Sequence, residues 1–203
     1  MTGLVDVPSL TGGYTDATLT LAIDHTEHTR RQAAGLQLVV GHGFGGLDHL
    51  MALPHEMPVP LNTLDKYQRA YVRRAPAAIC SIRDGHVTRH AVRPCRILMA
   101  TVRYNTTYKL ALDSASRFAP MCARQVIVKR LDKNAFHRIS RLAEFDFYGI
   151  GVLLENEDGS LETVVEPRPW VPKRHTPAAW WFAEQAYGSY LKQTAQTLER
   201  TAP

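Results

Sequence analysis

From Ala77 to Pro167 the hydrophobic pattern alternates between the two-residue period of a strand and the roughly 3.6-residue period of a helix, and a layered α/β architecture is what accommodates that alternation. Ala77–Arg83 and His86–Val92 flank Asp84-Gly85, a dipeptide suited to a tight hairpin turn. Cys95–Tyr104 is a third strand with an apolar centre. Residues 106–120 then carry Tyr108, Ala111, Leu112, Ala115 and Ala119 at helical spacing, with Lys109, Ser116 and Arg117 on the other side. Arg124–Arg130 reads as a short central strand. Lys133–Phe145 predicts a helix with Phe136, Ile139 and Leu142 inward and His137, Arg138 and Arg141 outward. Tyr148–Glu155, an Asp158-Gly159 turn and Leu161–Pro167 close the series. The expectation is a central mixed sheet of five or more strands flanked by helices.

The flanking sequence is less regular. The first sixteen residues, rich in Gly, Thr and Pro, predict a loose lead-in, and Ala17–Asp24 predicts a strand. Leu36–Leu53 reads as a strand, a Gly-rich turn and a short helix. Pro54, Pro58 and Pro60 then impose a surface loop. Thr63 is placed to cap a basic helix that stops before Pro76. Thr176-Pro177 opens a C-terminal helix whose Trp180, Trp181, Phe182, Tyr187 and Tyr190 are expected to pack across the sheet. Two regions are expected: residues 1–65 as an N-terminal extension packed on the core, and residues 66–203 as an α/β core domain with the aromatic helix.

Charge is segregated along the 203 residues. Lys66–Arg141 holds 17 Lys and Arg against three acids, whereas the remainder holds 7 bases and 16 acids. Self-repulsion of this size is relieved either by the acidic flanks or by a polyanionic partner, of which nucleic acid is the commonest. The N-terminus has neither the basic start nor the apolar stretch of a signal peptide, and no run is long enough to span a bilayer. Cys80, Cys95 and Cys122 are odd in number and lack ligand spacing, which predicts reduced thiols, a cytoplasmic setting and no membrane partner.

The order strand, turn, strand, strand, helix, strand, helix, strand, turn, strand over residues 77–167 resembles the restriction-endonuclease-like, PD-(D/E)XK nuclease superfamily. That resemblance implies a restriction-endonuclease-like core in which an Asp and the Glu of a Glu-x-Lys hold a divalent metal that activates water against a phosphodiester, while the Lys stabilises the developing charge. Asp84 occupies the aspartate position, and the Glu-x-Lys falls on Thr101-Val102-Arg103. Threonine does not replace an anionic ligand, and Arg103 stays charged rather than donating a proton. The resemblance therefore implies binding without hydrolysis, unless Glu144 or Asp146 supplies the acids.

Other clusters hold further chemistry. His25, His28, His42, His49 and His55 lie among Asp24, Glu27, Asp48 and Glu56, as imidazole and carboxylate donors for a transition metal would. Val39–Gly46 resembles the nucleophile elbow of α/β-hydrolases, but Gly43 stands where the Ser is needed. Arg103–Lys109 combines bases, aromatics and hydroxyls at a strand-to-helix junction, a composition suited to phosphate. The leading expectation is a nucleic-acid-binding protein, DNA favoured over RNA, with Arg83, Arg89, Arg93, Arg96, Arg103 and Lys109 on phosphates and no cofactor. The alternatives are a metal-dependent hydrolase or nuclease using the His25–His55 cluster or a different acid pair, and a phage- or plasmid-type accessory protein that binds an acidic protein partner.

Overall fold

The structure, a computed structural model, describes residues 4–9, 17–39, 46–104, 108–172 and 174–201. In chain order its elements begin with β1 (Leu4–Pro8), β2 (Ala17–Ile23), α1 (His25–Ala33), α2 (Leu47–Met51), β3 (Pro58–Pro60), α3 (Lys66–Arg74), β4 (Cys80–Arg83) and β5 (His86–Arg89). They continue with β6 (Cys95–Tyr104), α4 (Tyr108–Ser116), β7 (Ala123–Val128), α5 (Ala135–Phe147), β8 (Ile150–Glu155), β9 (Leu161–Val165) and α6 (Pro177–Thr201). The chain is α/β, with a mixed six-stranded sheet in the order β1-β2-β6-β7-β8-β9 and a three-stranded sheet in the order β3-β5-β4. Among the described residues no helix is long and apolar enough to cross a membrane.

Two compact units divide the chain. One comprises residues 23–96 with 175–188, and the other residues 3–22, 97–174 and 189–203. The boundary expected at residue 65 falls inside the first unit.

In the first unit Asp84 and Gly85 take φ of +48° and +74°, the paired left-handed conformation of a type I′ turn, and the hairpin forms where its sequence places it. Its third strand is β3 and not β6. Val59 pairs with Val87 and packs on Leu53, Leu64 and Val72, while Pro58 and Pro60 are tolerated because β3 is an edge strand. The expected Pro-rich loop therefore contains a strand. Helix α3 is capped by Asp65 and not Thr63: the Asp65 carboxylate accepts from the Tyr67 and Gln68 amides, and Gln68 reaches back to the Asp65 amide. Thr63 instead donates to the Pro60 carbonyl. Asp65→Ala should lower the melting temperature of the chain by about 2–4 °C, because two amides at the start of α3 lose their acceptor. The strand expected from Leu36 does not form over residues 36–39; the Val39 amide donates to the Glu184 carboxylate instead of to a neighbouring strand. Thr176 caps α6, and Trp180, Phe182 and Tyr187 are buried as expected. Trp180, however, packs on Leu47, Leu50, Ile79 and Ala91 within this unit.

In the second unit β6, β7 and β8 are parallel and β9 closes antiparallel on β8. Val102, Val126, Ile150 and Val152 are almost fully buried, each contributing about 1.5–3 kcal/mol. Residues 4–8, expected as part of a loose lead-in, form the edge strand β1 because Val7 finds a buried place beside β2. The crossovers α4 and α5 lie on one face of the sheet, where the Tyr108 and Phe145 rings meet edge to face at 5.5 Å. Asn134 caps α5, and Gly149, at φ +69°, ends it by donating to the Asp146 carbonyl.

The phase of α5 is the reverse of the sequence expectation in most of its positions. Phe145 is buried and Leu142 half-buried, but Phe136 and Ile139 are exposed and Arg138 and Arg141 turn toward the sheet side. A periodicity of 3.6 fixes the width of an apolar stripe and not which of two stripes meets the core.

Candidate functional site

Parallel strands leave a crevice beyond their carboxyl ends, where the chain turns into the following helices. In the second unit this crevice is a cavity of about 670 Å³, within the range of small-ligand sites. Its floor is Tyr104 at the end of β6, Val128 at the end of β7 and Val152 of β8. One wall is the segment Lys129–Lys133 and the other the inner face of α5, with Arg138, Arg141 and Phe145. Five bases (Lys129, Arg130, Lys133, Arg138 and Arg141) thus line the cleft against one acid, Asp132.

Asp132 is already committed. One of its oxygens accepts from the Asn134 amide at 3.0 Å, and the other holds Arg141 at 2.8 Å. Arg141 also lies over the Tyr108 ring, 5.1 Å from its centroid. Among the described residues the side chains of Lys129, Arg130, Lys133 and Arg138 have no hydrogen-bond or ion-pair partner, and the buried Tyr108 hydroxyl has none either. The N-terminus of α5 opens on the same rim and adds its partial positive charge. Cationic side chains, two tyrosine rings and a helix terminus around one cavity suit an anion attached to a flat ring.

Strand parity decides where the expected phosphate contacts go. Tyr104, Val128 and Leu154 share one sheet face, so Arg103, one residue away, points to the other. There it is held by Glu155 at 2.6 Å. Thr101 lies on that same opposite face, where its hydroxyl accepts from the Gln125 amide at 2.9 Å. Asp84 sits in the hairpin turn of the smaller sheet, and no strand pairing joins it to β6. Lys109 is exposed in the first turn of α4. In the first unit Arg83 and Arg96 are exposed. Arg89 stacks over the Trp180 ring at 5.6 Å and Arg93 contacts His175; burial lowers both guanidinium groups below their ordinary value. Arg89, Arg93 and Arg103 are therefore engaged within the protein. Glu144 and Asp146 are exposed on α5.

The histidines are dispersed. His25 is exposed on α1, His28 shares a 2.8 Å hydrogen bond with the Tyr187 hydroxyl, and His49 lies 5.6 Å from the Tyr71 ring. His55 reaches the His90 carbonyl, and Glu56 meets the His90 ring at 3.0 Å. Among the described residues no three His, Cys, Asp or Glu side chains are grouped to hold a metal ion. His42 with the rest of residues 40–45 of the elbow-like turn, and residues 105–107 of the strand-to-helix junction, lie outside the described residues.

The sequence reading missed a buried ionic network in the first unit. Arg31 and Glu184 are 0% exposed and Glu27 is 3% exposed. Arg31 forms a two-pronged pair with Glu184 at 2.8 Å and a second pair with Glu27 at 2.7 Å, and its remaining donors reach the Gln37 and Val92 carbonyls. Glu184 also accepts from the Trp180 indole and the Val39 amide. Arg30 completes the set, holding Glu27 and the Ala78 carbonyl. The i,i+4 spacing of Glu27 and Arg31 was the available signal. With its donors and acceptors turned on one another, this network is a fastener between segments and leaves no group for a ligand. Comparisons with protein-family models, curated proteins and solved structures find no match to this chain.

Proposed function

We propose that this protein binds nucleic acid through the cationic cleft of its second unit, without cutting the strand. The observation that carries the reading is the set Lys129, Arg130, Lys133 and Arg138, four bases around one cavity with no partner among the described residues. Holding like charges together is unfavourable unless an anion occupies the space between them. A phosphate at the rim would meet Lys129, Arg130 and the α5 amides, and a base inside would lie against Tyr104 and Tyr108. The reading without strand cleavage is supported by the cleft's lining: its one acid among the described residues, Asp132, is held by Arg141 and the Asn134 amide, which leaves no free carboxylate to hold a metal. Buried, unpaired Cys80, Cys95 and Cys122 support a reducing, cytoplasmic setting.

The test is binding of labelled DNA and RNA, single- and double-stranded, across a salt series with and without Mg²⁺, scoring cleavage in the same samples. Four phosphate contacts give a slope of log affinity against log salt of about −3, with the oligonucleotide intact. No affinity even at low salt would end the reading, and Mg²⁺-dependent cleavage would replace binding by catalysis.

A further inference from the structure

Helix α5 is turned inside out relative to an ordinary surface helix. Arg138 and Arg141 line the cleft on its inner side, while Phe136, Ile139 and Phe147 face solvent at 76%, 66% and 74% exposure. Phe136, Ser140, Ala143 and Phe147 follow one another at steps of four, three and four residues and so form a single stripe along the outer face. The stripe reads large, small, small, large in both directions. A two-fold axis midway between Ser140 and Ala143 superposes it on itself, which is the condition for an isologous contact.

Charge selects both the orientation and the occupant. His137 lies toward the start of α5 and Glu144 toward its end, and both sit on one flank of the stripe. An antiparallel second copy brings each His137 alongside Glu144 of the other chain, and it opposes the two helix dipoles. A parallel copy would set the flank carrying Glu144 against the flank carrying Asp146, two like charges, and would align the two helix dipoles. Ser140 and Ala143 at the centre allow the helix axes to approach closely, and each Phe136 then meets Phe147 of the second copy.

We infer that the outer face of α5 is a self-association surface, on which two copies of this chain pack antiparallel with Phe136 of each against Phe147 of the other. Its inner face would still line the cleft in both copies, so one dimer would carry two clefts on either side of a shared helix pair. This inference stands apart from nucleic-acid binding, because the association needs only the outer face.

Light scattering or sedimentation of the full chain, with no nucleic acid present, tests it. A dimer is expected in the micromolar range, and Phe136→Ser combined with Phe147→Ser should weaken it at least about 100-fold. Both side chains are largely exposed, so the variant should keep the circular dichroism of the parent. A second measurement oxidises a mixture of Ser140→Cys and Ala143→Cys chains carrying different tags. The native thiols do not compete: all three are buried, and burial pushes Cys95 and Cys122 up to about 12. Cross-links between the two variants should exceed those of either with itself. A monomer at every concentration, a dimer untouched by the double serine variant, or a predominance of self cross-links would each overturn the inference.

Discussion

Arg31→Met is expected to destabilise the unit formed by residues 23–96 and 175–188 by about 3–5 kcal/mol, the largest effect of any single substitution considered. The arginine is fully buried, and its removal strands the Glu184 carboxylate among Trp180, Val39 and apolar neighbours. It also leaves the Gln37 and Val92 carbonyls without their donor. The loss should appear in urea or thermal unfolding as a drop of the order of 6–20 °C. Adding Glu184→Leu should recover part of it, because an apolar pair removes the uncompensated charge. A double variant less stable than Arg31→Met alone would show that Glu184 contributes through its other contacts.

The same network sets an acid limit. Burial pushes the Glu27 carboxyl up, but the hydrogen bonds and charges of Arg30 and Arg31 outweigh that and hold it below its ordinary 4.5. A carboxylate depressed on folding contributes stability that is complete above 4.5 and is lost as pH falls through the lower folded value. Stability of this unit should therefore decline below pH 4.5 in the parent. Glu27→Gln should flatten the decline while lowering stability at neutral pH.

The second large effect is expected in the cleft. Lys129→Ala, Arg130→Ala and Arg138→Ala combined should weaken oligonucleotide binding on the order of 100-fold at low salt and reduce the salt slope by about 2–3. Because these side chains have no partner among the described residues, thermal unfolding of the triple variant should match the parent. Arg83→Ala with Arg96→Ala, both in the other unit, serves as the control for charge alone. Equal losses from the two sets would mean that the whole basic surface, and not the cleft, attracts the strand.

How much of this was legible in the sequence depended on whether the governing interaction was local. The hairpin at Asp84-Gly85 and the turn at Asp158-Gly159 were read from neighbouring residues, since left-handed backbone at Gly85 and Gly159 is a local demand. The α/β alternation was legible for the same reason. Sheet membership was not: β6 follows the hairpin in sequence, yet it lies between β2 and β7, a choice made by pairing across distance. The cleft was half legible. Its bases belong to the Lys66–Arg141 window, but strand parity sends Arg103 to one face and Tyr104 to the other. The Asp24–His28 segment suggested metal donors, and what it builds is a cap from Asp24 and an ion pair from Glu27. The partner that explains Glu27 and Arg31 stands at position 184, which no local pattern announces.

That distance has a consequence for how the chain comes off the ribosome. Arg31 emerges 153 residues before Glu184, which at about 5–20 residues per second is roughly 8–30 s of elongation. During that interval the first unit has a guanidinium meant for a dry interior and no carboxylate from α6 to receive it. Strands β1 to β9 have all emerged by residue 165, so the six-stranded sheet has its full set of strands while the first unit still waits for Trp180 and Glu184. Both units take their last residues from α6, but the six-stranded sheet has its strands before the first unit has its buried ion pair.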